Sequence, residues 1–259
     1  MKYTIGLFIA IIGFVLASHH LEQGISAYWD FVAFTVVGLG SLAVLLITFP
    51  SAPFGLLVRR FVAKFLMGSP SLKSHIERCL KVFQEKKIEG SDQSIEAQIL
   101  RDGLELLSLG MDSERIAQIL SRRFEQHTQR LNLLSGWLKR GSKYPPAFGL
   151  AGTVLGLIHL MRGISAGIDT KETGIRMAVA LVATFYGLLI SNMILNPLGE
   201  WLQEEIKRDE VKAEASLQLI QLLSEDATIL EAHEMMNSFL MADEKTNLSF
   251  SSIQGEEAA

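Results

Sequence analysis

The stretch from residue 144 to residue 157 decides the fold of this chain; it reads Tyr144-Pro-Pro-Ala-Phe-Gly-Leu-Ala-Gly-Thr-Val-Leu-Gly-Leu157. A second stretch has the same character, Gly174-Ile-Arg-Met-Ala-Val-Ala-Leu-Val-Ala-Thr-Phe-Tyr-Gly187. Both are apolar and rich in small residues, which let helix backbones approach closely in lipid. Each also carries one threonine, Thr153 or Thr184, and a threonine hydroxyl is polar without the cost of a charge in hydrocarbon. The two stretches predict a pair of membrane helices that line an ion route.

Apolar runs predict four membrane helices, at about residues 4–17, 31–49, 145–161 and 175–195. The last three approach the roughly 20 residues that span a bilayer. The first also resembles a secretory signal peptide, but a retained helix is favoured because the next span follows after a short loop. Hydrophobic residues make up 49% of the chain and charged residues 20%, with a mean hydropathy of +0.28. We therefore predict an all-α polytopic membrane protein with four transmembrane helices and a helical cytoplasmic domain.

The placement of Lys and Arg predicts the orientation, because these residues are enriched on the cytoplasmic side. The 18–30 connection has neither, although the 162–176 turn has three. Segment 51–144 has basic residues beside both neighbouring spans: Arg59, Arg60, Lys64, Lys139, Arg140 and Lys143. Both termini are then cytoplasmic. The predicted divisions are a first hairpin (1–50), a cytoplasmic helical domain (51–144), a second hairpin with the channel helices (145–196), and a cytoplasmic helical extension with a disordered tail (197–259).

Helices are predicted in the cytoplasmic segments. One begins near Ser71 and ends at 89–90, a second covers about 94–109, and a third starts at 112 or 113 and continues through Trp137 into the third span. Residues 200–223 extend the fourth helix past Pro197. In the second of these helices, Arg101 and Glu105 share one face, while an apolar stripe occupies another, formed by Ile95, Ile99 and Leu106.

Several kinds of chemistry are missing from the sequence. Cys79 is the only cysteine, so an intrachain disulfide or a Cys-pair metal site is excluded. There is no phosphate-binding loop and no serine nucleophile elbow, so we expect neither an enzyme nor a cofactor. No Asp or Glu lies inside a predicted span, and His159 is interpreted as a structural or interfacial residue in preference to a proton carrier. If ions pass, a partner must supply the carboxylate.

The apolar motifs resemble the MotA/TolQ/ExbB proton-channel family. The likeness is carried by residues 146–149, 152–157, 177–181, 183–187 and 192–197. Within that family, two spans before the large cytoplasmic segment resemble the flagellar motor stator branch, because the ExbB and TolQ branch has one span there.

The resemblance implies a homopentamer in the bacterial inner membrane around a MotB-like single-span partner that carries a membrane Asp. Thr153 and Thr184 would face that partner and hold the ion path. Pro146 and Pro197 match the prolines that couple ion flow to movement, and Arg101 and Glu105 match the charged helix that contacts the rotor switch complex. Lipid is the other expected partner, and nucleic acid is not expected.

Several alternatives stay open. Protons are favoured over sodium because Ala183 stands before Thr184, where sodium-type stators tend to have a second Thr, and sodium needs several oxygen ligands. The chain could instead be an ExbB- or TolQ-like energiser of envelope transport or constriction, or a passive scaffold. Each hydroxyl could simply bond a carbonyl of its own helix, each proline could be a plain helix boundary, and Arg101 with Glu105 could be an ordinary solvated pair.

Overall fold

The computed structural model of the chain describes residues 29–48, 70–88 and 94–245, with isolated helical positions at 6, 8–9, 12–13, 15–16, 55 and 61–62. Every regular element in these ranges is helical. The helices are α1 Phe31–Thr48, α2 Leu72–Glu85, α3 Ile95–Ser108, α4 Ser113–Gly141, α5 Tyr144–Ser165, α6 Thr170–Leu189, a π-helical segment Ile190–Leu195, α7 Asn196–Ser224 and α8 Ile229–Asn237. Most of the first predicted span, the basic residues at 59–64 and the tail beyond 245 lie outside the described residues.

Three helical runs among the described residues are long and apolar enough to cross a membrane. They are Phe31–Thr48, a window within Ser113–Ser165 and a window within Thr170–Ser224. These runs coincide with the second, third and fourth predicted spans. Large apolar side chains on α1 and α5 are exposed, among them Val32, Ile47, Leu150 and Leu155, and contiguous apolar surface of this kind marks contact with lipid or another protein.

The chain forms two compact units. Unit 1 comprises Met1–Phe54 and Asn132–Gln203, and unit 2 comprises Gly55–Leu131 and Glu204–Ala259. In unit 1, α1 packs against both α5 and α6, which form an antiparallel hairpin. In unit 2, α2, α3, α8 and parts of α4 and α7 share one apolar core, with Ile76, Leu100, Ile116, Leu219 and Met236 buried. The two units are defined by contacts within the chain, whereas the predicted membrane and cytoplasmic segments are defined by the position of the bilayer. The bounds of those segments therefore stay predictions.

The starts of several helices follow their capping residues, as the sequence predicts. Ser71 accepts a hydrogen bond from the backbone N–H of Ser74, and Ser94 accepts one from Ala97. Such a cap satisfies one of the backbone donors that a helix start leaves without an intrahelical partner. At the other end of α3, Gly110 has a φ of 73°, a conformation that glycine adopts without strain.

Two interruptions fall at prolines. The sequence predicts that the third cytoplasmic helix runs on into the third span, but α4 ends at Gly141 and a turn at residues 142–143 separates it from α5. Pro145 and Pro146, in the first turn of α5, lack the N–H groups that would continue the α4 hydrogen-bond ladder. The second interruption is the π-helical segment that immediately precedes Pro197. Helical structure is nevertheless continuous from Thr170 to Ser224.

Candidate functional site: a hydroxyl pair in the α5–α6 hairpin

Thr153 of α5 and Thr184 of α6 meet inside the hairpin. Their Oγ1 atoms lie 2.5 Å apart, and both side chains are half-buried. Thr153 Oγ1 is also 2.9 Å from the carbonyl oxygen of Ala180 and 3.2 Å from that of Gly149. Thr184 Oγ1 is 3.3 Å from the same Gly149 oxygen. The structure therefore brings together the two hydroxyls that the sequence places on separate helices.

The two hydroxyl groups have fewer hydrogens to donate than they have close contacts with other oxygens. Each threonine donates one hydrogen, whereas a carbonyl oxygen only accepts. In one arrangement Thr153 donates to Ala180 and Thr184 donates to Thr153; in the other Thr184 donates to Gly149 and Thr153 donates to Thr184. Rotation of the two hydroxyls interconverts these arrangements. The cluster can thus reorganise its hydrogen bonds without moving the backbone, or present several oxygens to a cation.

The bonds cross between the helices. Thr153 does contact Gly149, one turn back in its own helix, as the simple structural interpretation expects for a membrane threonine. It also contacts Ala180 on the other helix, and the contacts of Thr184 reach Gly149 and Thr153 on α5. The hydroxyls therefore hold the two helices together in addition to any bond within one helix.

Glycines on α5 make this crossing possible. A Cβ atom added at Gly156 would lie 2.6 Å from the Cβ of Ala180, and one added at Gly149 would lie 2.9 Å from the Ala183 oxygen. At Gly152 the added atom would lie 2.8 Å from the Cβ of Ala183. Real Cβ atoms do not approach so closely, so the three positions require glycine unless the helices separate. Small residues bring the backbones close enough for side-chain oxygens to reach the opposite carbonyls.

Helix α1 is fastened beside this pair by polar and aromatic contacts. The backbone N–H of Asp30 donates to the Tyr186 hydroxyl at 3.0 Å, and the Asp30 carboxylate accepts from the N–H of Ala33 at 2.6 Å. Phe34 packs edge-on against the Tyr186 ring, with centroids 6.1 Å apart. The sequence gives little signal for the Asp30 contact, because it joins residues far apart in the chain.

His159 takes part in a polar cluster near the α5–α6 connection. Arg176 donates to His159 Nε2 at 3.1 Å and to Glu172 Oε1 at 3.0 Å. A guanidinium has no acceptor, so His159 receives this bond through a nitrogen that carries no hydrogen. The contact agrees with the interpretation of His159 as a structural residue.

The predicted hinge prolines occupy different settings. Pro146 lies in the first turn of α5, where Gly187 of α6 comes so close that an added Cβ would lie 3.0 Å from the Pro146 Cα. Pro197 is the second residue of α7, directly after the π-helical segment. Both prolines therefore mark irregular backbone, and their role as hinges stays a prediction.

The predicted rotor-contact residues lie in unit 2. Arg101 and Glu105 are exposed on α3, whereas Ile99 is buried on the opposite side. The neighbouring Asp102 forms an ion pair with Arg123 of α4 at 2.5 Å. The amphipathic face predicted from the sequence is thus the face that α3 presents, and its contact with the rotor stays a prediction.

Unit 2 contains a buried polar cluster that was not predicted from the sequence. Lys212 of α7 pairs with Glu96 of α3 at 3.5 Å, with 5% and 9% of the two side chains exposed. His75 Nε2 lies 3.0 Å from both the Lys212 carbonyl oxygen and Ser216 Oγ. Burial lowers the pKa of His75 to about 4 and raises the pKa of the Cys79 thiol to about 12. The signal available in the sequence was the placement of His75 and Cys79, four residues apart, on the apolar stripe of α2.

The metal-ligating residue types do not assemble into a site in the part of the chain that the structure describes. No group of three or more His, Cys, Asp or Glu side chains there could hold a metal ion. In the α5–α6 hairpin, the threonine pair and the carbonyls of Gly149 and Ala180 place four oxygens close together.

Comparison with known proteins shows which family the chain is similar to. The model of the MotA/TolQ/ExbB proton channel family matches residues 91–215. Motility protein A of Borreliella burgdorferi is 25% identical over 242 residues, covering 90% of both chains, and the uncharacterized protein YtxD of Bacillus subtilis is 24% identical over 213 residues, covering 80% of this chain and 76% of the relative. The flagellar MotAB stator complex of Bacillus subtilis contains a similar fold, with a TM-score of 0.80, 20% identity, and coverage of 94% of this chain and 98% of that one. The chain therefore resembles the MotA/TolQ/ExbB proton channel family, and the proteins it is similar to include a motility protein A and a flagellar MotAB stator complex.

Proposed function

We propose that this chain is a flagellar stator subunit that, with a MotB-like partner, conducts ions and converts their flow into torque. The observation that carries the proposal is the pair of hydroxyls, Thr153 and Thr184, held between two closely packed apolar helices. This geometry supports an ion route, because it places polar oxygens in apolar surroundings without a buried charge. The names of the relatives agree, since they include a motility protein A and a MotAB stator complex.

The partner supplies the titrating carboxylate. Neither residues 144–168 nor residues 173–199 contain Asp or Glu, so the apolar parts of the hairpin have no acidic group of their own to bind and release an ion. The partner is a single-span MotB-like protein with a membrane Asp. Each charge that crosses 100 mV releases about 2.3 kcal/mol, which is the energy source for rotation.

Protons are the transported ion in this proposal. The threonine pair and its two carbonyls can pass hydrogen bonds from one arrangement to the other, which suits proton movement. Ala183 leaves the position before Thr184 without a hydroxyl, and a partly dehydrated sodium ion requires several oxygen ligands. Sodium remains the second candidate because Thr153 adds a ligand oxygen.

The wider assembly follows from the family likeness. Four spans cross the bacterial inner membrane with both termini in the cytoplasm, and five copies surround the partner. Pro146 and Pro197 couple ion passage to movement of the cytoplasmic helices. Arg101 and Glu105 contact the rotor switch complex from the exposed face of α3.

Replacement of Thr184 by Val tests the ion path. This change keeps the approximate size of the side chain and removes the hydroxyl that bonds Thr153 and Gly149. We expect swimming to stop or slow sharply in cells whose own copy is deleted, with the protein still in the membrane and bound to its partner. Swimming speed, membrane fractionation and co-purification are the measurements.

Two further variants serve as controls. Thr184→Ser keeps a hydroxyl and should retain motility. Thr35→Val removes a hydroxyl of α1 whose bond stays within its own helix, to the Val32 oxygen at 2.8 Å, and should swim normally. Normal swimming by Thr184→Val would exclude the ion-path role.

A further inference from the structure

A buried hydrogen bond joins the two irregular backbone sites of unit 1. The hydroxyl of Ser191, in the π-helical segment, donates to the carbonyl oxygen of Ser142 at 2.7 Å. Both serines are 4% exposed. The acceptor lies in the turn between α4 and α5, 49 residues away in sequence.

Two prolines explain why the Ser142 carbonyl needs a donor from elsewhere. In a continuing α-helix this oxygen would accept from the N–H four residues later, and in a tighter turn from the N–H three residues later. Those positions are Pro146 and Pro145, and proline has no N–H. A buried carbonyl without a partner is destabilising. The Ser191 hydroxyl supplies the missing donor.

A third proline explains the backbone at Ser191. Pro197 cannot donate to the carbonyl four residues earlier, and its ring crowds that carbonyl. The π-helical segment accommodates this, with the N–H of Asn196 bonded five residues back to the Ser191 oxygen. One turn before Ser191, Gly187 lies against the backbone of Pro145 and Pro146. Gly187 and Ser191 therefore place the end of α6 directly on the start of α5.

We infer that Ser191 is a positioning residue that ties the α4–α5 joint, at Pro145 and Pro146, to the π-helical joint before Pro197. The inference rests on the proposed stator function. Each joint interrupts the regular hydrogen-bond ladder, so each is a place where a helix can bend. The Ser191 bond makes the two joints move together, so that displacement of the ion-conducting hairpin reaches α4 and α7 in a fixed relation.

The test compares torque with ion flux in the same cells. Ser191→Ala removes the donor and leaves the Ser142 carbonyl buried. We expect membrane levels, partner binding and ion flux close to wild type, while torque at a given flux falls severalfold. Torque is measured on tethered cells, and flux is measured as the change in cytoplasmic pH and in cytoplasmic sodium when the subunit and its partner are overproduced.

A matched pair of variants separates the hydroxyl from side-chain volume. Ser191→Thr keeps the hydroxyl donor and should keep the wild-type torque. Ser191→Val has nearly the same shape as Ser191→Thr but no hydroxyl, so its torque should fall as it does in Ser191→Ala. Ser41→Ala is the control for loss of a buried serine hydroxyl, because the Ser41 hydroxyl donates to the Val37 oxygen of its own helix, at 2.5 Å. Ser41→Ala should keep its torque.

The outcomes distinguish the positioning role of Ser191 from the stator function on which it rests. If the wild-type subunit and its partner carry no ions, the stator function is wrong, and the positioning role of Ser191 is wrong as well. If the wild type conducts ions and produces torque but Ser191→Ala has normal torque, only the positioning role of Ser191 is wrong. The same conclusion follows if Ser191→Thr and Ser191→Val behave alike. A parallel loss of flux and torque would also overturn the positioning role, because the residue would then act on conduction.

Discussion

At the scale of single residues, the buried groups of unit 2 are arranged so that His75 is neutral. Its Nε2 lies 3.0 Å from the Lys212 carbonyl, which only accepts, so this nitrogen carries the hydrogen. Burial is the main cause that lowers the pKa of His75 to about 4; the charge of Glu96 opposes it, and the charges of Lys212 and Arg78 add to it. Protonation of the ring would place a second cation beside Lys212.

This arrangement predicts that unit 2 loses stability in mild acid. The pKa of His75 is 6.5 in the unfolded chain and about 4 in the folded one, so between these values the unfolded state binds the additional proton. The free energy of unfolding should fall as pH drops from 6.5 to about 4, by about 3 kcal/mol in total, and change little from this source below that. The free energy of unfolding of the His75→Gln variant should depend less on pH in this range.

Cys79 provides the measurement, because it is the only cysteine and is buried. Exposure of its thiol to a pyridyl disulfide, which reacts in acid, reports opening of unit 2 in the detergent-solubilised complex during thermal unfolding. His127→Gln, at a half-buried site outside the core, is the comparison variant for the loss of a histidine as such. Parallel curves for wild type and His75→Gln would contradict the prediction.

The candidate site shows how far residue-level prediction from the sequence can go. The small-residue motifs identify Thr153 and Thr184 as isolated hydroxyls, since the pattern that surrounds each is local. They do not reveal that Thr184 bonds a carbonyl of α5, because that contact depends on the register between two helices. The same holds for the bond from Asp30 to Tyr186.

At the scale of helices, local signals predict starts and exposed faces well. Ser71 and Ser94 cap α2 and α3, and the apolar stripe of α3 packs against the core as its spacing indicates, with Ile99 buried and the other two residues partly buried. The π-helical segment is different, because a proline near position 197 is compatible with a helix end, a kink or a widened turn. Which of these forms depends on the tertiary contacts of Gly187 and Ser191.

The ion pair that joins α3 to α7 allows a prediction at this scale. Lys212 and Glu96 are both buried, so Lys212→Met leaves a carboxylate without its partner in the core. Such a loss should destabilise unit 2 by about 3–5 kcal/mol. Lys212→Met combined with Glu96→Gln should cost less than the single Lys212 change, because no charge then remains unpaired.

Lys207 is the matched control on the same helix. It pairs with Glu204 at 3.6 Å, but 62% and 61% of the two side chains are exposed. Lys207→Met should therefore cost less than about 1 kcal/mol. Denaturant midpoints followed by Cys79 labelling provide the comparison, and equal losses for the two Met variants would show that the buried pair has no special weight.

At the scale of the whole molecule, the chain passes between the two units at residues 54–55, 131–132 and 203–204. The last two crossings lie inside α4 and α7. Any motion that ion passage produces in the hairpin can thus reach unit 2 along two helices, through the turn at residues 142–143 into α4 and through the π-helical segment into α7. In the proposed function, the exposed face of α3 is where that motion meets the rotor.

Charge reversal at Arg101 tests this last step. Arg101 is exposed and separate from the buried stripe of α3, so Arg101→Glu should change the free energy of unfolding by less than about 1 kcal/mol. It should nevertheless slow swimming, because the new charge repels a rotor group that Arg101 attracts at each encounter. Glu105→Arg should act in the same way on an opposite rotor charge.

Paired substitutions on the rotor make the test specific. Among a set of charge reversals on the rotor switch protein, at least one should partly restore swimming to Arg101→Glu, since it re-creates an attractive pair. Arg130→Glu, an exposed reversal on α4 with the same change in net charge, should swim at the wild-type speed. If Arg101→Glu also swims normally, or if the Arg130 variant is equally slow, the contact with the rotor is made by another surface of unit 2, and the charged face of α3 is an ordinary solvated surface.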